Sequence, residues 1–506
     1  MRLAELLVYS RVLSAVERSN LETSLATKYG LMRRAELSGE VAWLNPGSTL
    51  ILANGSELLT VSSDGPFTFA QPLSGGYGVT VASQPPGQTC TVTNGNGVST
   101  TRVTNVLVRC TPFVFKRVRA PTTADATTLS STFVEMPDLG AVRFRTTRAD
   151  ETALLTLTVP YLGGPSDGTA ASFFGDAIVG IEVDGTVLDE ATFQSANWGQ
   201  GGPATVTTLA RLAPGTHTVR PVWRRGRVWG TPTALPIRLI GGPMLAAHLR
   251  TIFTGTVLDS LTTYHSSREA RGVPSVTASA AFVPLAIPPL TWTSPMNEKT
   301  IVGLRAPDPN SPSNVALRLT VDGVTVSSNN FQHSYSKKPV FPTVVVASPT
   351  GPHVASADWR TTGTAARLTT APSVFQVAFD GATPSASVSS TANAPSTAVG
   401  VDAVIPGLTT TLTLANAGPV LLMLNVNAAY SNSNGGTGLV SLEVDGTPVA
   451  GTQSQSQNNS VSVPVNIITV ETLTAGTHTI RGTYRNVAGG HLLDGSNNLH
   501  AIVLNP

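Results

Sequence analysis

The sequence predicts an all-β protein of tandem β-sandwich or jelly-roll domains, with one short strand-helix element at the N-terminus. Charged residues make only 12% of the 506 residues, about half the usual share, while Gly (46) and Pro (36) are frequent. That composition is typical of short strands joined by turns. Apolar residues make 41%, enough to build a core in several domains. The remaining observation is a long signature that recurs three times.

The signature is a Val-Asp-Gly turn, then a histidine after Gly-Thr or Gly-Pro, then an aromatic residue followed by arginine. From aspartate to histidine the gaps are 33, 31 and 33 residues, and from histidine to the aromatic residue they are always 6. The three sets are Asp184, His217 and Trp223; Asp322, His353 and Trp359; and Asp445, His478 and Tyr484. The period of about 125 to 140 residues is the size of a domain and not of a solenoid unit. We therefore predict three repeats, at about 113–255, 256–382 and 383–506.

Residues 1–36 are predicted to be one strand and one helix. Leu3–Val8 is typical of a strand, and Ser14 with Glu17 forms a capping-box pattern. Gly30 should end the helix, whose apolar face is formed by Leu21, Leu25 and Tyr29. This segment resembles the last strand and closing helix of bacterial laminin-G-like domains. The resemblance implies either a piece of a longer chain or a reused docking element.

Residues 37–112 are predicted to form a small β-sandwich. Short apolar runs are separated by dipeptides that hairpins prefer, namely Asn54-Gly55, Asp64-Gly65, Gly75-Gly76 and Asn94-Gly95. The stretches Gln84–Cys90 and Val108–Cys110 resemble the transthyretin-like or carboxypeptidase-regulatory-like modules of bacterial surface proteins. That resemblance implies a spacer and not a catalyst.

The two cysteines of the chain, Cys90 and Cys110, both lie in this sandwich. A metal or redox pair would require a CxxC motif or nearby histidine ligands, and neither accompanies them. A structural disulfide is therefore favoured, and closing a loop of this length contributes roughly 3 kcal/mol. A disulfide indicates an oxidising setting outside the cytosol.

Each repeat is predicted to be a jelly roll, because about eight short strands include a long connection before the Gly-Thr-His strand. The segments Gly215–Arg220 and Gly476–Arg481, with closing strands at Leu249–Phe253 and Leu499–Leu504, carry a resemblance. They resemble tumour-necrosis-factor-like or complement-like jelly rolls of phage tail fibres and bacterial surface proteins. The resemblance implies modules displayed on a virion or a cell.

The residues that could carry chemistry do not form catalytic or metal-binding motifs. The three signature histidines have no neighbouring His or Cys to complete a ligand set, and each Asp-Gly pair offers one carboxylate. Motifs for a serine nucleophile, a phosphate loop or a zinc protease are also absent from the sequence. We therefore expect structural turn residues, with no enzyme activity, metal or cofactor.

The large aromatic residues that follow each signature, and two tryptophans of repeat 1, differ in whether they recur. Trp223, Trp359 and Tyr484 recur at one repeat position, as core residues do, whereas Trp198 and Trp229 do not recur and lie in Gly-rich segments predicted to be loops. An exposed indole beside guanidinium groups suits stacking on a sugar, although a Trp can also fold over its own loop. The candidate ligand-binding residues are Trp198, Trp229, Arg225 and Arg227. The matching loop of repeat 2 carries Phe331, His333, Tyr335, Lys337 and Lys338, and that of repeat 3 is Ser, Gln and Asn, so a site shared by the repeats is not expected.

The strand Val420–Val426 predicts self-association, with a trimer favoured. Strand alternation places four of its apolar residues on one face and Leu421 and Met423 on the other. The matching strand of repeat 1, Leu154–Val159, has mostly Thr on that second face. Two apolar faces require two burials, and a neighbouring subunit would supply the second.

Charge and hydropathy restrict the function. With 32 basic and 30 acidic residues, the chain has no field for nucleic acid or an anionic membrane, no apolar run long enough for a membrane helix, and a first segment interrupted by Glu5, which does not suit a signal peptide. We expect a non-enzymatic structural or attachment protein outside the cell, favouring a phage virion component such as a tail fibre that binds a glycan or host surface. The alternatives are a fragment of a secreted bacterial adhesin and an accessory carbohydrate-binding region of an enzyme.

Overall fold

The computed structural model confirms the all-β class. It describes residues 7–28, 35–73, 75–99, 101–119, 126–163, 174–195, 201–229, 237–239, 250–310, 314–331, 337, 339–392, 400–431, 437–449, 454–457, 463–488, 491–494 and 497–505. Within these ranges there are 40 strands, one α-helix and one short 3-10 helix.

The helix α1, Ala15–Lys28, has the predicted N-terminal capping box. The Ser14 N–H donates to Glu17 Oε2 at 2.9 Å, and the Glu17 N–H donates to Ser14 Oγ at 3.2 Å, so two free amide groups of the first turn are satisfied. Most of the predicted strand Leu3–Val8 lies outside the described residues, as do Tyr29 and Gly30. The described part of that strand, residues 7 and 8, is not in a strand.

Residues 37–111 form a sandwich of two four-stranded sheets, ordered β4-β1-β8-β6 and β3-β2-β5-β7. The strands are β1 Leu37–Ala42, β2 Leu50–Asn54, β3 Glu57–Val61, β4 Gly65–Thr68, β5 Gly75–Ser83, β6 Thr89–Thr93, β7 Asn96–Ser99 and β8 Val103–Thr111. The predicted disulfide is confirmed: Cys90 and Cys110 are direct cross-strand partners on β6 and β8, and their side chains lie in the core of this sandwich.

Repeat 1 begins directly after the small sandwich. Its strands are β9 Val114–Val118, β10 Ala126–Thr128, β11 Val134–Glu135, β12 Val142–Thr146, β13 Glu151–Gly163, β14 Phe174–Val183, β15 Thr186–Ser195, β16 Gly201–Leu212, β17 Gly215–Trp229, β18 Ile237–Leu239 and β19 Ile252–Val257. The 3-10 helix Leu258–Ser260 leads from β19 to repeat 2.

Repeats 2 and 3 follow, with eleven and ten strands in the described ranges. Repeat 2 has β20 Tyr264–Arg271, β21 Ser275–Thr277, β22 Val283–Pro284, β23 Leu290–Ser294, β24 Glu298–Arg305, β25 Val315–Val321, β26 Val324–Phe331, β27 Thr343–Ser348, β28 Gly351–Thr361, β29 Ala366–Leu368 and β30 Ser373–Asp380. Repeat 3 has β31 Ser385–Ser390, β32 Asp402–Leu414, β33 Gly418–Ser431, β34 Thr437–Val444, β35 Thr447–Pro448, β36 Ser454–Gln457, β37 Val463–Leu473, β38 Gly476–Ala488, β39 His491–Asp494 and β40 Asn497–Val503.

Each repeat has the sheet topology of a jelly roll. Eight main strands of each repeat, counted in chain order, form its two sheets; in repeat 1 they are β9, β12, β13, β14, β15, β16, β17 and β19. One sheet joins the first, last, third and sixth main strands, as β9-β19-β13-β16, β20-β30-β24-β27 and β31-β40-β33-β37. The other joins the second, seventh, fourth and fifth, as β12-β17-β14-β15, β23-β28-β25-β26 and β32-β38-β34-β35. We call the first set the inner sheets and the second set the outer sheets. The recurring aromatics Trp223, Trp359 and Tyr484 are buried between the two sheets, as predicted for core residues.

The three inner sheets face one another and bury a second hydrophobic cluster, the shared core. It takes residues from all three repeats and from the link between the first two: Leu154, Leu209, Leu258, Leu261, Ile301, Phe375, Val377, Phe379, Leu421, Met423, Ile468, Val470, Ile502 and Leu504. A cluster drawn from every repeat means that the three jelly rolls pack as one body and not as beads on a string.

Hydrogen bonds and ion pairs close the three repeats into a ring. Repeat 1 meets repeat 3 where Thr205 Oγ1 donates to the Asn466 carbonyl at 2.6 Å. Repeat 3 meets repeat 2 where Asn425 bonds both backbone groups of Thr343, at 2.6 and 3.2 Å. Repeat 2 meets repeat 1 where Arg271 pairs with the buried carboxylate of Asp189 at 3.0 Å. The chain therefore surrounds the shared core on all three sides.

Inward-facing residues of repeats 1 and 3 change from apolar to polar along several of the inner strands. Three inner strands, β13, β33 and β40, have aliphatic residues near the end of the repeat that holds the Asp-Gly turn and polar residues further away. On β33 the order is Leu421, Met423, Asn425 and Asn427; on β40, read backwards from the residue after it, it is Leu504, Ile502, His500 and Asn498; and on β13 it is Leu154, Thr156 and Thr158. We call the apolar end the base end and the opposite end the distal end.

The argument for a trimer does not hold for the face on which it was based. Leu421 and Met423 are 3% and 0% exposed, and repeats 1 and 2 of the same chain cover them. The sequence predicted correctly that the second face of this strand is buried, but not that other repeats of the same chain bury it. Self-association stays a prediction, and it requires a surface other than this one.

The small sandwich is docked on the base end of repeat 1 and is not a free spacer. Trp43 packs in the core of repeat 1, and its Nε1–H donates to Glu151 Oε2 at 3.1 Å. Arg145 of repeat 1 forms a bidentate pair with Glu40, at 2.9 and 2.6 Å. Asp64 accepts backbone N–H groups from both units, from Leu44 at 2.8 Å and from Arg145 at 2.9 Å.

Truncating Met423 to Ala should lower the free energy of unfolding by about 2 to 5 kcal/mol, because the side chain is wholly buried in the shared core. The matched control is Leu58→Ala, in the small sandwich, where Leu58 is 65% exposed. This change should alter the free energy of unfolding by less than about 0.5 kcal/mol. Urea denaturation measures both. An effect of Met423→Ala as small as that of Leu58→Ala would contradict burial of Met423 in the shared core.

Candidate functional site

The structure places the predicted ligand-binding residues in a strand and not in a loop. Arg225, Arg227 and Trp229 belong to β17, which pairs with β14, while Trp198 lies outside the described residues. The register shifts between Gly175 and Ala177, so this part of the strand is bulged. The bulge requires Gly226, where a Cβ would lie 2.7 Å from the Cβ of Asp176. The prediction of a loop from the Gly-rich composition is therefore wrong for Arg225, Arg227 and Trp229: the segment is a bulged strand.

Arg225 is half-buried and Arg227 is exposed near the distal end of repeat 1. The side chain of Trp229 lies outside the described residues, so the structure does not bring the two tryptophans and the two arginines together. The proposed stacking site stays a prediction.

Lys337, from the matching segment of repeat 2, holds two repeats together. Its Nζ lies 3.2 Å from Asp176 Oδ2, and its carbonyl accepts the Gln194 N–H at 3.0 Å. Burial raises the pKa of Asp176, and Lys337 opposes that shift by favouring the carboxylate. Lys337 therefore serves an inter-repeat contact. His333, Tyr335, Lys338 and the side chain of Phe331 lie outside the described residues.

The signature aspartate and histidine form the same clamp in every repeat. The histidine Nδ1 lies 2.7 Å from the aspartate Oδ2 in each case, for the pairs His217 with Asp184, His353 with Asp322, and His478 with Asp445. The other ring nitrogen lies 2.7 to 2.9 Å from a backbone carbonyl four residues earlier. The second aspartate oxygen accepts the N–H of the residue after the histidine, at 2.7 or 2.8 Å.

Each clamp fixes a backbone conformation that would otherwise be unfavourable. Asp184, Asp322 and Asp445 have φ values of 50°, 51° and 51°, in the left-handed region that most residues avoid. The carboxylate and its histidine hold the Asp-Gly turn against the start of the neighbouring strand. The sequence had predicted structural turn residues but not their pairing. The near-constant gap from aspartate to histidine was the signal that could have revealed it.

Both ring nitrogens of each signature histidine lie within hydrogen-bond distance of oxygen atoms. In repeat 3 the bond to Asp445 and then the bond to the Thr474 carbonyl raise the pKa of His478. The same pairing with His478 lowers the pKa of Asp445. Both nitrogens of each ring are therefore engaged within the clamp.

The clamp of repeat 3 should stabilise the fold most between about pH 4 and pH 6.5, the unfolded pKa values of Asp and His. Above this window stability is lost as pH rises through the raised pKa of His478, and below it stability is lost as pH falls through the lowered pKa of Asp445. His478→Gln should therefore lower the free energy of unfolding most near pH 5 to 6, by on the order of 1 kcal/mol. The melting temperature should fall most in the same pH range. Thermal melts of wild type and variant from pH 4 to 9 measure this. A difference that does not depend on pH would show that the ring acts by packing alone.

No family model matches this sequence, and no curated protein matches it. Among solved structures, PNGF-II in its P21 crystal form is 8% identical with a TM-score of 0.21, over 90% of this chain and 99% of that one. The Gt strain of infectious bursal disease virus is 8% identical with a TM-score of 0.17, over 78% and 81%. An archaeal virus protein with a triple jelly roll fold is 8% identical with a TM-score of 0.16, over 77% and 92%. TM-scores this low support no conclusion about fold or function.

In the described ranges, His, Cys, Asp and Glu side chains do not gather in groups of three or more that could hold a metal ion. No helix in the same ranges has the length and apolar character needed to cross a membrane.

Proposed function

We propose that this chain is a non-enzymatic structural and attachment protein displayed outside the cell, as a virion component of the tail-fibre kind. The observation that carries the proposal is the closed ring, in which three jelly rolls share one core. A body of this kind is rigid, because its repeats cannot move without exposing the shared core. Rigidity and a large outer surface suit display and attachment.

The two ends of the ring support different roles. The base end holds the three clamps and, on repeat 1, the docked small sandwich. This end therefore suits attachment of the chain to the particle or surface that displays it. The distal end holds the last residues of β17, β26, β33 and β38. Arg225 and Arg227 on β17 do not recur in the other repeats, and side chains that differ between repeats suit recognition of a partner. The disulfide supports an oxidising setting outside the cytosol.

A secreted bacterial adhesin is the second candidate. The observation that favours it is the exposed apolar arm before and in the helix, where Val8, Val12 and Val16 are 83%, 93% and 70% exposed. Apolar side chains at such exposure favour a covering surface. The laminin-G-like domain that this segment resembles would supply one.

Antibodies against the small sandwich distinguish the two candidates. Immunogold microscopy should label phage particles if the chain is a virion component. Label confined to bacterial surfaces would favour the adhesin, and label at neither surface would contradict external display.

Binding of a surface glycan at the distal end of repeat 1 is the finer part of the proposal. Replacing both Trp198 and Trp229 with Ala should weaken attachment of the purified chain to host cells about thirtyfold, the loss expected for a stacking hot spot. Arg227→Ala should cost less and depend on salt, because an exposed charge is screened. Flow cytometry with labelled protein measures attachment, and a thermal melt shows that the fold persists. Unchanged attachment by a folded double variant would exclude these residues from the site.

A further inference from the structure

A polar groove of about 500 Å³ lies between repeats 1 and 2. Repeat 1 contributes two charged side chains, the connecting 3-10 helix one, and strand β20 of repeat 2 the remainder. The residues that define this junction groove are Asp150, Arg211, Asp259, Tyr264, His265 and Arg268. The groove exists because the ring brings the two repeats together.

The backbone that forms the groove is held from below by the shared core. Leu258 and Leu261 are 0% and 4% exposed in that core, so the turn between them is fixed. Asp259 lies between these two leucines and is exposed toward the groove. The start of β20 follows directly, with Tyr264 half-buried.

The polar groups of the groove are oriented by hydrogen bonds. Asp259 Oδ2 accepts the Thr152 N–H at 2.7 Å, which restricts the orientation of this carboxylate. Arg211 Nη2 donates to the Ser267 carbonyl at 3.0 Å, across the boundary between the repeats. The Tyr264 hydroxyl lies 2.9 Å from Ser267 Oγ. Groups that are already fixed lose little entropy when a ligand binds.

His265 is oriented in the same way. Its Nδ1 lies 3.0 Å from Oε1 of Glu298, a residue that is only 3% exposed. A carboxylate on Nδ1 fixes the ring orientation and leaves Nε2 as the atom that can meet a ligand. The groove thus contains a positioned imidazole edge beside the phenol ring of Tyr264.

The charges of the rim balance, which selects against an ionic ligand. Two guanidinium groups, Arg211 and Arg268, and two carboxylates, Asp150 and Asp259, line the groove. A sugar hydroxyl can donate to a carboxylate and accept from a guanidinium at the same time, so neighbouring hydroxyls of one sugar can use both kinds of group. The half-buried phenol of Tyr264 adds an apolar surface for a pyranose face.

We propose that the junction groove binds an uncharged saccharide. The proposal deepens the proposed function and rests on it, since the groove would be a place through which the displayed ring holds a surface glycan. It does not involve Trp198 or Trp229. Because both repeats supply ligand-binding groups, binding depends on the closed ring.

Saturation-transfer NMR with the full chain tests the proposal. The probes are methyl glycosides of glucose, galactose, mannose, rhamnose and N-acetylglucosamine, with methyl glucuronide as the charged counterpart. We expect at least one neutral glycoside to bind the wild type. Arg268→Ala and Asp259→Asn should each weaken that binding about tenfold, the loss expected for a hydrogen bond to a charged group. Arg102→Ala, at an exposed arginine of the small sandwich, should bind as the wild type does.

Three results would overturn the assignment: no neutral glycoside binds the wild type, both groove variants bind unchanged, or methyl glucuronide binds more tightly than methyl glucoside. Two groove variants guard against a folding defect. Among the described residues the Arg268 guanidinium makes one long hydrogen bond, 3.4 Å to the Thr291 carbonyl, and Asn keeps an acceptor at position 259. A host-cell attachment assay distinguishes failure of the groove proposal from failure of the proposed attachment function. Attachment that survives in both groove variants would leave the attachment function standing without the groove, whereas a wild type that attaches to no surface would contradict the function itself.

Discussion

Burial of three inner sheets against one another is the constraint on which the whole molecule depends. A sheet that is apolar on both faces must be covered on both, and in this chain the outer sheet of the same repeat covers one face while the other two repeats cover the second. No repeat can satisfy its inner sheet alone. The order of the repeats, the short link through Leu258–Ser260 and the groove beside it all follow from that requirement.

The change from apolar to polar residues along the shared interface divides two tasks. Aliphatic side chains such as Leu421 and Leu154 supply the non-directional attraction near the base. Directional bonds further along, such as those of Asn425 to Thr343 and of Thr205 to Asn466, are satisfied in only one alignment. Buried hydrogen bonds of this kind specify which arrangement of the repeats is adopted, while hydrophobic contact provides most of the free energy.

Local patterns in the sequence predicted the features that depend on neighbouring residues. The jelly-roll repeats, the capping box of Ser14 and Glu17 and the Cys90–Cys110 bond all belong to this group. The ring was not predictable, because the pattern around Met423 shows that a second face is buried but not what buries it. Bulged strands and loops share a Gly-rich composition, so Arg225–Trp229 was assigned to the wrong class. The junction groove takes its residues from two repeats, and no local motif marks it.

Joining three jelly rolls in one chain frees each of them to change separately. In an assembly of identical subunits every substitution appears three times around the axis, so a residue that favours one surface is imposed on all. Here Arg225 and Arg227 occur in one repeat while the others carry different residues at the matching positions, and the clamps stay the same. Encounter of the three units is also intramolecular, so ring closure is set by linker length and does not fall with dilution. A single gene copy thus yields a threefold body with three independently evolving faces.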